Sequence, residues 1–253
     1  MILKETQIRF PFFIYLSEMF LTETICTCLC NICDRIIFIL IIFFGGNMTT
    51  IYLVRHSEII KKQLGTIDSD EDFYTSNKKT VLSVDGEKLA EKVSLMDEFN
   101  NLDVIWSSSF SRAISTAKYF ADKNNLLVNV TDGFNERRHG IKSLNELPSD
   151  FEIHQFNDFD YKIGDGESRR ETLERMYTSL MKVINEYKNK RILIVTHSTS
   201  IMYLLGNWCN VTYGGDYKFN DKIFFDGKWN YCQTFKLEFD DDFTLLNVET
   251  IKI

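Results

Sequence analysis

The chain has 253 residues, of which 26% are charged and 44% are hydrophobic, and its formal net charge is −7. This composition is typical of an ordinary globular protein, and the length suits one large α/β domain or two small ones. No lysine- and arginine-rich block stands out, so we expect no nucleic-acid partner, because such binding requires clustered cations that neutralise phosphates.

Residues 1–47 differ in character from everything that follows. Their longest apolar run, Ile36–Phe44, is nine residues long, whereas a helix that spans a bilayer needs about 20 apolar residues. The segment Gly45-Gly46-Asn47-Met48 is what an in-frame ribosome-binding sequence before a start codon would encode. We therefore expect Met48 to be the true start, a bacterial source and a domain over residues 48–253. A membrane anchor or a folded appendage in residues 1–47 are the alternatives.

The cysteines of this extension form a cluster. Thiolates at such spacing can share one metal ion, but four ligands from eight consecutive residues are cramped, so we expect no metal. Beyond residue 47 no disulfide framework is present, which favours a reducing compartment and a cytoplasmic protein. A membrane-tethered protein is the alternative and rests on residues 1–47. The four cysteines of the cluster are Cys26, Cys28, Cys30 and Cys33.

In the first half of the domain, strands alternate with helices. The run 51–54 is β-branched and aromatic, which predicts a buried strand. Ser83 can cap a helix whose apolar residues recur at three- and four-residue spacing. A second strand is predicted at 104–106, a helix with one apolar face over 113–120, and a third strand at 126–130.

The second half continues this alternation after an irregular stretch. Residues 140–165 are acidic and show no clear period. The apolar stripe of 171–187 predicts a strong helix, and the continuous apolar run 191–195 predicts a buried strand. Residues 201–208 read as a helix, and the alternating segment 233–239 reads as an edge or antiparallel strand.

This alternation predicts a three-layer α/β/α sandwich with a mostly parallel central sheet. Ligands of such sheets bind outside the carboxyl ends of the strands. Polar residues follow three predicted strands there: Arg55-His56, the segment 107–112, and Thr196-His197. A guanidinium presents a fork of donors that fits phosphate oxygens, and an imidazole can act as a nucleophile in a cationic setting.

Six short motifs, in order, resemble those of the histidine phosphatase superfamily, branch 1, which has a phosphoglycerate mutase-like fold. The resemblance covers nearly all of residues 48–253. The motif Leu53–Glu58 resembles the signature L-V-R-H-G-E. The others are Leu82–Gly86, Ser107–Ala113, Asn135–Arg137, Gly166–Ser168 and Val195–His197.

The resemblance implies a role for each site residue. His56 would attack phosphorus and carry the phosphoryl group. Arg55, Arg112 and His197 would bind the phosphate oxygens. Glu136 would protonate the leaving oxygen and then deprotonate water. The family needs neither a metal nor another cofactor.

Two departures from the family pattern lie beside the histidines. Ser57 and Ser198 stand where the family usually has glycine, and either hydroxyl could contact substrate or narrow the pocket. Arg137 is a further possible substrate contact, although a surface role is open as well.

The implied activity is metal-independent hydrolysis of phosphomonoesters. The alternatives are mutase-type phosphoryl transfer and a phosphate-binding module without turnover. The stretch 142–165 carries two lysines against six acids, which disfavours retention of a highly charged phosphoglycerate and therefore favours hydrolysis. We expect a small phosphorylated substrate or a phosphoprotein as partner, and the oligomeric state is open.

Overall fold

The computed structural model describes residues 48–60 and 72–253. This part of the chain contains six helices and nine strands: helices follow each of the first four strands, and the last five strands follow one another directly. The strands are β1 (Thr49–Arg55), β2 (Val104–Ser108), β3 (Val128–Thr131), β4 (Arg191–Thr196), β5 (Asn210–Val211), β6 (Tyr217–Phe219), β7 (Lys222–Phe225), β8 (Thr234–Phe239) and β9 (Leu245–Ile251). The helices are α1 (Phe73–Lys79), α2 (Val84–Ser94), α3 (Ser111–Asn124), α4 (Phe151–Asn157), α5 (Arg169–Glu186) and α6 (Ser198–Leu205).

The centre of the fold is a six-stranded sheet with the strand order β3-β2-β4-β1-β8-β9. The pairs β1–β4, β2–β4 and β2–β3 are parallel. β8 pairs antiparallel with β1, and β9 pairs antiparallel with β8. The predicted mostly parallel sheet is confirmed, and the segment read as an antiparallel strand is β8, which lies inside the sheet.

Hydrophobic clusters cover both faces of this sheet. Successive side chains of a strand point to opposite faces, and β1 sends Ile51 and Leu53 into one cluster and Tyr52 and Val54 into the other. The first cluster contains buried residues of α5 and α6, and the second contains buried residues of α2 and α3. The two helical layers and the sheet form the expected three-layer sandwich.

Parallel pairing brings the carboxyl ends of three strands to the same edge of the sheet. Arg55 at the end of β1 is in register with Thr196 of β4, and Ser107 of β2 is in register with Val195. The residues that follow these strands therefore lie side by side.

A serine cap and a close glycine contact position the start of α2. The Ser83 side chain accepts a hydrogen bond from the main-chain nitrogen of Gly86 at 3.0 Å, as its place before the helix predicted. A Cβ atom on Gly86 would lie 2.1 Å from the main-chain oxygen of Glu58. Glycine at this position thus allows the helix to approach the loop that follows β1.

The acidic stretch predicted to be irregular contains α4 and a 3-10 turn at Leu144–Glu146, which corrects that expectation. α4 has only two buried residues, Phe151 and Gln155. The Gln155 amide donates to the main-chain oxygen of Glu167 at 2.9 Å, and its oxygen accepts from the Tyr203 hydroxyl at 3.1 Å. Tertiary contacts of this kind, which leave no periodic pattern in the sequence, hold the helix.

The extension 1–47, with its apolar run and cysteine cluster, lies outside the described residues, and the domain boundary at residue 48 stays a prediction. In residues 48–60 and 72–253, no helix combines the length and the apolar character that crossing a bilayer requires.

Candidate active site

His56 follows β1 and is buried at the carboxyl edge of the sheet. Its Nδ1 lies 2.7 Å from the main-chain oxygen of Ser57. A carbonyl oxygen only accepts, so Nδ1 carries the hydrogen and Nε2 keeps its lone pair. Burial, followed by the positive charge of Arg112, holds the pKa of His56 well below its usual value. The imidazole is therefore neutral and has a free nucleophilic nitrogen.

The loop after His56 is held by α2 and α3. The main-chain nitrogen of Ser57 donates to Thr116 Oγ1 at 3.0 Å, and the Ser57 hydroxyl donates to the main-chain oxygen of Gly86 at 2.7 Å. The hydroxyl thus has a structural partner at a position where the sequence suggested a substrate contact. The carbonyl of Ser57 is in turn the group that orients His56.

Arg112, in the first turn of α3, is 4% exposed and has its guanidinium held on two sides. Nη2 lies 3.2 Å from His197 Nδ1, and Nη1 donates to the main-chain and side-chain oxygens of Asn77 at 2.6 and 3.0 Å. Nε is buried and has no partner in the described structure. Burial lowers the pKa of Arg112 to about 10, so the side chain stays charged at neutral pH.

His197, between β4 and α6, is fully buried. Because Arg112 can only donate, Nδ1 of His197 accepts and its Nε2 carries the hydrogen, with Ser108 Oγ 2.8 Å away. Burial and then the charge of Arg112 hold the pKa of His197 well below its usual value. The His56 and His197 rings lie 5.2 Å apart between centroids, so the two strand ends meet as predicted.

Arg55, the last residue of β1, is tied to the loop before β8. Its Nη1 donates to the main-chain oxygens of Trp229 and Asn230 at 3.3 and 3.2 Å. The guanidinium carbon lies 4.9 Å from the centre of the Tyr231 ring. Nε is buried without a partner among the described residues, and burial lowers the pKa of Arg55.

Glu136 lies half-buried beside these cations. Its Oε1 accepts from the Ser200 hydroxyl and from the main-chain nitrogen of Arg137, each at 3.0 Å. Its negative charge partly offsets the effect of burial on the pKa of both Arg55 and Arg112. The carboxylate is therefore within electrostatic reach of both guanidiniums.

Several residues that sequence reasoning missed hold this arrangement together. The Asn135 Oδ1 accepts from the Ser108 hydroxyl at 2.8 Å, which joins the end of β2 to the segment that carries Glu136. Ser200 binds the main-chain oxygen of Asn135 at 2.9 Å as well as Glu136. Ser108 and Asn135 lie inside family motifs and could have been identified from the sequence. Asn77 belongs to no motif.

The sequence model of the histidine phosphatase superfamily, branch 1, matches residues 51–242, which include every site residue named above. The chain belongs to this superfamily. The expected family is confirmed, and with phosphatases among its relatives the enzyme is a phosphatase.

Two curated relatives resemble this histidine phosphatase over 162 residues. It is 28% identical to the uncharacterized phosphatase PhoE of Bacillus subtilis, over 62% of this chain and 76% of the relative. It is 27% identical to phosphoserine phosphatase 1 of Hydrogenobacter thermophilus, over 60% of this chain and 72% of the relative.

Solved structures share the fold of this histidine phosphatase at low identity. A mycobacterial glucosyl-3-phosphoglycerate phosphatase aligns with a TM-score of 0.59 and 15% identity, over 81% of this chain and 98% of that one. A phosphoserine phosphatase of Entamoeba histolytica aligns with a TM-score of 0.56 and 19% identity, over 79% of this chain and 96% of that one.

Two predicted substrate contacts take different positions in the phosphatase. Arg137 is 2% exposed and forms a buried ion pair with Glu152 of α4. Its Nη2 also lies 3.3 Å from His139 Nε2, so Arg137 anchors α4 instead of reaching open solvent. Ser198, directly after His197, is half-buried and lines a cavity of about 350 Å³.

Metal-ligating side chains do not form a cluster of three or more in the part of the phosphatase that the structure describes. The cysteine cluster at residues 26–33 lies outside that part. The two described cysteines, Cys209 and Cys232, are buried free thiols.

Proposed function

We propose that this phosphatase hydrolyses phosphomonoesters through a phosphohistidine on Nε2 of His56. The observation that carries the proposal is the state of His56, which is neutral, oriented by Ser57 through Nδ1 and surrounded by Arg55, Arg112 and His197. A neutral imidazole with a free lone pair can attack without first losing a proton.

In the first step, the Nε2 lone pair of His56 attacks phosphorus and the bond to the ester oxygen breaks. Glu136, which has first taken up a proton from solvent, gives this proton to that oxygen, and the alcohol leaves. In the second step, Glu136 takes a proton from water, the water oxygen attacks phosphorus, and the phosphorus–nitrogen bond breaks. Inorganic phosphate leaves, and both His56 and Glu136 return to their starting states.

Charge neutralisation comes from the two guanidiniums. Arg55 and Arg112 together offset the two charges of a phosphomonoester dianion, and each has an unpartnered, buried Nε that can donate to phosphate oxygen. The Nε2 hydrogen of His197 points to Ser108 Oγ at 2.8 Å, and it can reach a phosphate oxygen only by exchanging that partner. Preorganised donors of this kind stabilise the charge of the transferring group, and we propose that the reaction requires no metal.

The position of Glu136 supports its role as acid and base. Ser200 and the main-chain nitrogen of Arg137 hold one carboxylate oxygen, Oε1. With one oxygen held, the other can exchange a proton with the leaving group or with water. A module that only binds phosphate would need neither this carboxylate nor a nucleophile, which favours an enzyme over a binding module.

Hydrolysis is favoured over mutase-type transfer. A mutase must keep a highly charged phosphoglycerate in the site between two half-reactions, which requires extra cations near the site. The stretch 142–165 carries only Lys142 and Lys162 against six acids.

The experiment that tests the proposal is a turnover assay on a panel of phosphomonoesters, with alkaline quenching of the enzyme during turnover of phosphorus-32-labelled substrate. We expect phosphate release together with labelled protein that loses its label in acid, because phosphohistidine is acid-labile. Turnover without any labelled protein at millisecond quench times would contradict the covalent route.

We propose a cytoplasmic location and a small-molecule partner. Two free, buried thiols suit a reducing cytoplasm. The cavity of about 350 Å³ beside Ser198 has the size of a small-molecule site, so we propose a small phosphorylated substrate in preference to a phosphoprotein.

A further inference from the structure

The cavity that Ser198 lines, which we call the side cavity, has a distinct chemical lining. It holds about 350 Å³. Aromatic side chains and hydroxyl groups dominate, and one carboxylate completes it. The lining residues are Glu152, Ser198, Thr199, Met202, Tyr213, Gly214, Tyr217, Gly227 and Trp229.

Three walls of the side cavity adjoin the active site. Ser198 directly follows His197 in the chain. The main-chain oxygen of Trp229 accepts from Arg55 at 3.3 Å. Glu152 pairs with Arg137, which directly follows Glu136. The alcohol part of a substrate whose phosphate is held between the guanidiniums can therefore extend toward this cavity.

The lining of the side cavity carries negative charge only. Glu152 is the single charged residue of the lining, and its side chain is 41% exposed. The Arg137 that balances it is 2% exposed and lies behind it. A substrate group in the cavity therefore faces the carboxylate and has no lining cation to pair with.

The uncharged lining suits an alcohol with hydroxyl groups. Tyr213 and Trp229 offer partly exposed aromatic surface, while Ser198 and Thr199 offer hydroxyl groups. The exposed Glu152 carboxylate can accept charge-assisted hydrogen bonds from substrate hydroxyls. Pockets of this kind use apolar surface for affinity and a few polar groups for orientation.

We propose that the side cavity is the leaving-group subsite and that Glu152 makes it selective for phosphomonoesters of polyhydroxylated alcohols without a second anionic group. This inference rests on the proposed function, because it assigns the alcohol part of the substrate to the space beside His56. A carboxylate or second phosphate on the alcohol would be held next to Glu152 and repelled.

Two substrates of nearly equal size test the selectivity. Glycerol 3-phosphate and 3-phosphoglycerate share the ester and differ by a hydroxymethyl group against a carboxylate. We expect kcat/KM for glycerol 3-phosphate to exceed that for 3-phosphoglycerate by about tenfold or more, the size of one unfavourable charge pair near a protein surface. p-Nitrophenyl phosphate reports the basal phosphatase activity of each variant.

Glu152→Gln removes the charge and keeps an acceptor for Arg137, and we expect the preference to fall to about threefold or less. The matched control is Asp150→Asn, which removes the same charge from an exposed residue next to α4 that does not line the cavity. We expect the control to keep the wild-type preference.

A second variant tests the subsite even if Glu152→Gln fails to fold. Thr199→Lys leaves the pair of Arg137 and Glu152 intact and adds a cation to the lining. We expect it to raise kcat/KM for 3-phosphoglycerate about tenfold relative to p-nitrophenyl phosphate.

The outcomes separate the two proposals. Absence of any turnover, including that of p-nitrophenyl phosphate, would overturn the proposed function. Turnover of p-nitrophenyl phosphate with equal kcat/KM for the two glycerol derivatives would overturn the subsite alone. A preference that persists unchanged in both Glu152→Gln and Thr199→Lys would likewise show that Glu152 and the side cavity do not set it.

Discussion

The main-chain oxygen of Asn77 lies 2.6 Å from Nη1 of Arg112, and the Asn77 side-chain oxygen lies 3.0 Å from the same atom. Asn77 belongs to α1, which contains none of the family motifs, whereas Arg112 belongs to the motif Ser107–Ala113. The contact fixes one side of the guanidinium, while His197 fixes the other at 3.2 Å. Asn77 is therefore a positioning residue for the phosphate-binding arginine.

A charge introduced at this contact should weaken phosphate binding. In Asn77→Asp, a carboxylate beside Arg112 competes with phosphate for the guanidinium, and we expect the inhibition constant of inorganic phosphate to rise about tenfold. Asn77→Ala keeps the main-chain oxygen and should change it less. Ser76→Asp adds the same charge one residue earlier in α1 and serves as the control. If both aspartates raise the inhibition constant equally, the added negative charge as such is responsible, and not its contact with Arg112.

Removal of the nucleophile should abolish both turnover and covalent labelling. We expect His56→Ala to lose at least about 10³-fold in kcat, since the covalent route has no substitute attacking group. Steady-state assays and alkaline quenching with labelled substrate measure the two effects. His154→Ala removes an exposed histidine that stacks on Tyr161 with 3.9 Å between ring centroids, and it should behave as wild type. Turnover near the wild-type rate in His56→Ala would refute the assignment.

Loss of the general acid should depend on the leaving group. Glu136→Gln cannot protonate the ester oxygen, and we expect alkyl phosphates to slow by about 10²- to 10⁴-fold. p-Nitrophenyl phosphate, whose leaving group needs little protonation, should slow far less in this step. Glu146→Gln, in the acidic stretch, is the control for loss of one carboxylate. Similar slowing of both ester classes would remove Glu136 from the acid role.

Metal removal should leave activity unchanged. Arg55 and Arg112 supply the positive charge that a divalent ion would otherwise provide. We expect enzyme dialysed against EDTA to keep its kcat and KM within about twofold, as measured by phosphate release. Complete loss that one divalent ion restores would show that the charge balance of the site has been misjudged.

Stability should fall as the pH decreases below about 6.5. Burial, with Arg137 nearby, lowers the pKa of His139 to about 4, whereas an unfolded histidine titrates near 6.5. Below that value the unfolded chain binds more protons than the folded one, so acid favours unfolding, and His56 and His197 act in the same direction. From pH 7.5 to 5.5, His139 alone should cost about 1.4 kcal/mol.

Urea unfolding at both pH values measures this loss. We expect His139→Gln to reduce the decline by about that amount, because glutamine does not titrate. His154→Gln, at an exposed position, should leave the decline unchanged. A decline that is identical in wild type and His139→Gln would show that His139 does not contribute to it.

The sequence by itself determined five of the six strands of the central sheet and the ends of its parallel strands, whereas β9 and the short strands β5 to β7 were not predicted. Buried strands and amphipathic helices leave periodic patterns, because every second or every third to fourth residue must face the core. Parallel pairing then brings residues after different strands to one edge, which is why His56, Arg112 and His197 could be placed together from sequence. Family motifs added Glu136, whose position no period reveals.

Only the tertiary structure decided which groups hold these residues and which face the substrate. α1 and α4 are seven residues long and bury few side chains, so they have no stripe, and contacts to Arg112 and Arg137 determine their positions. Neighbours that are distant in the chain likewise determine two further features. They direct the Ser57 hydroxyl toward Gly86, and they leave Glu152 exposed in the side cavity. Packing between remote segments is not encoded in any local pattern, and here it decides the shape and charge of the pocket.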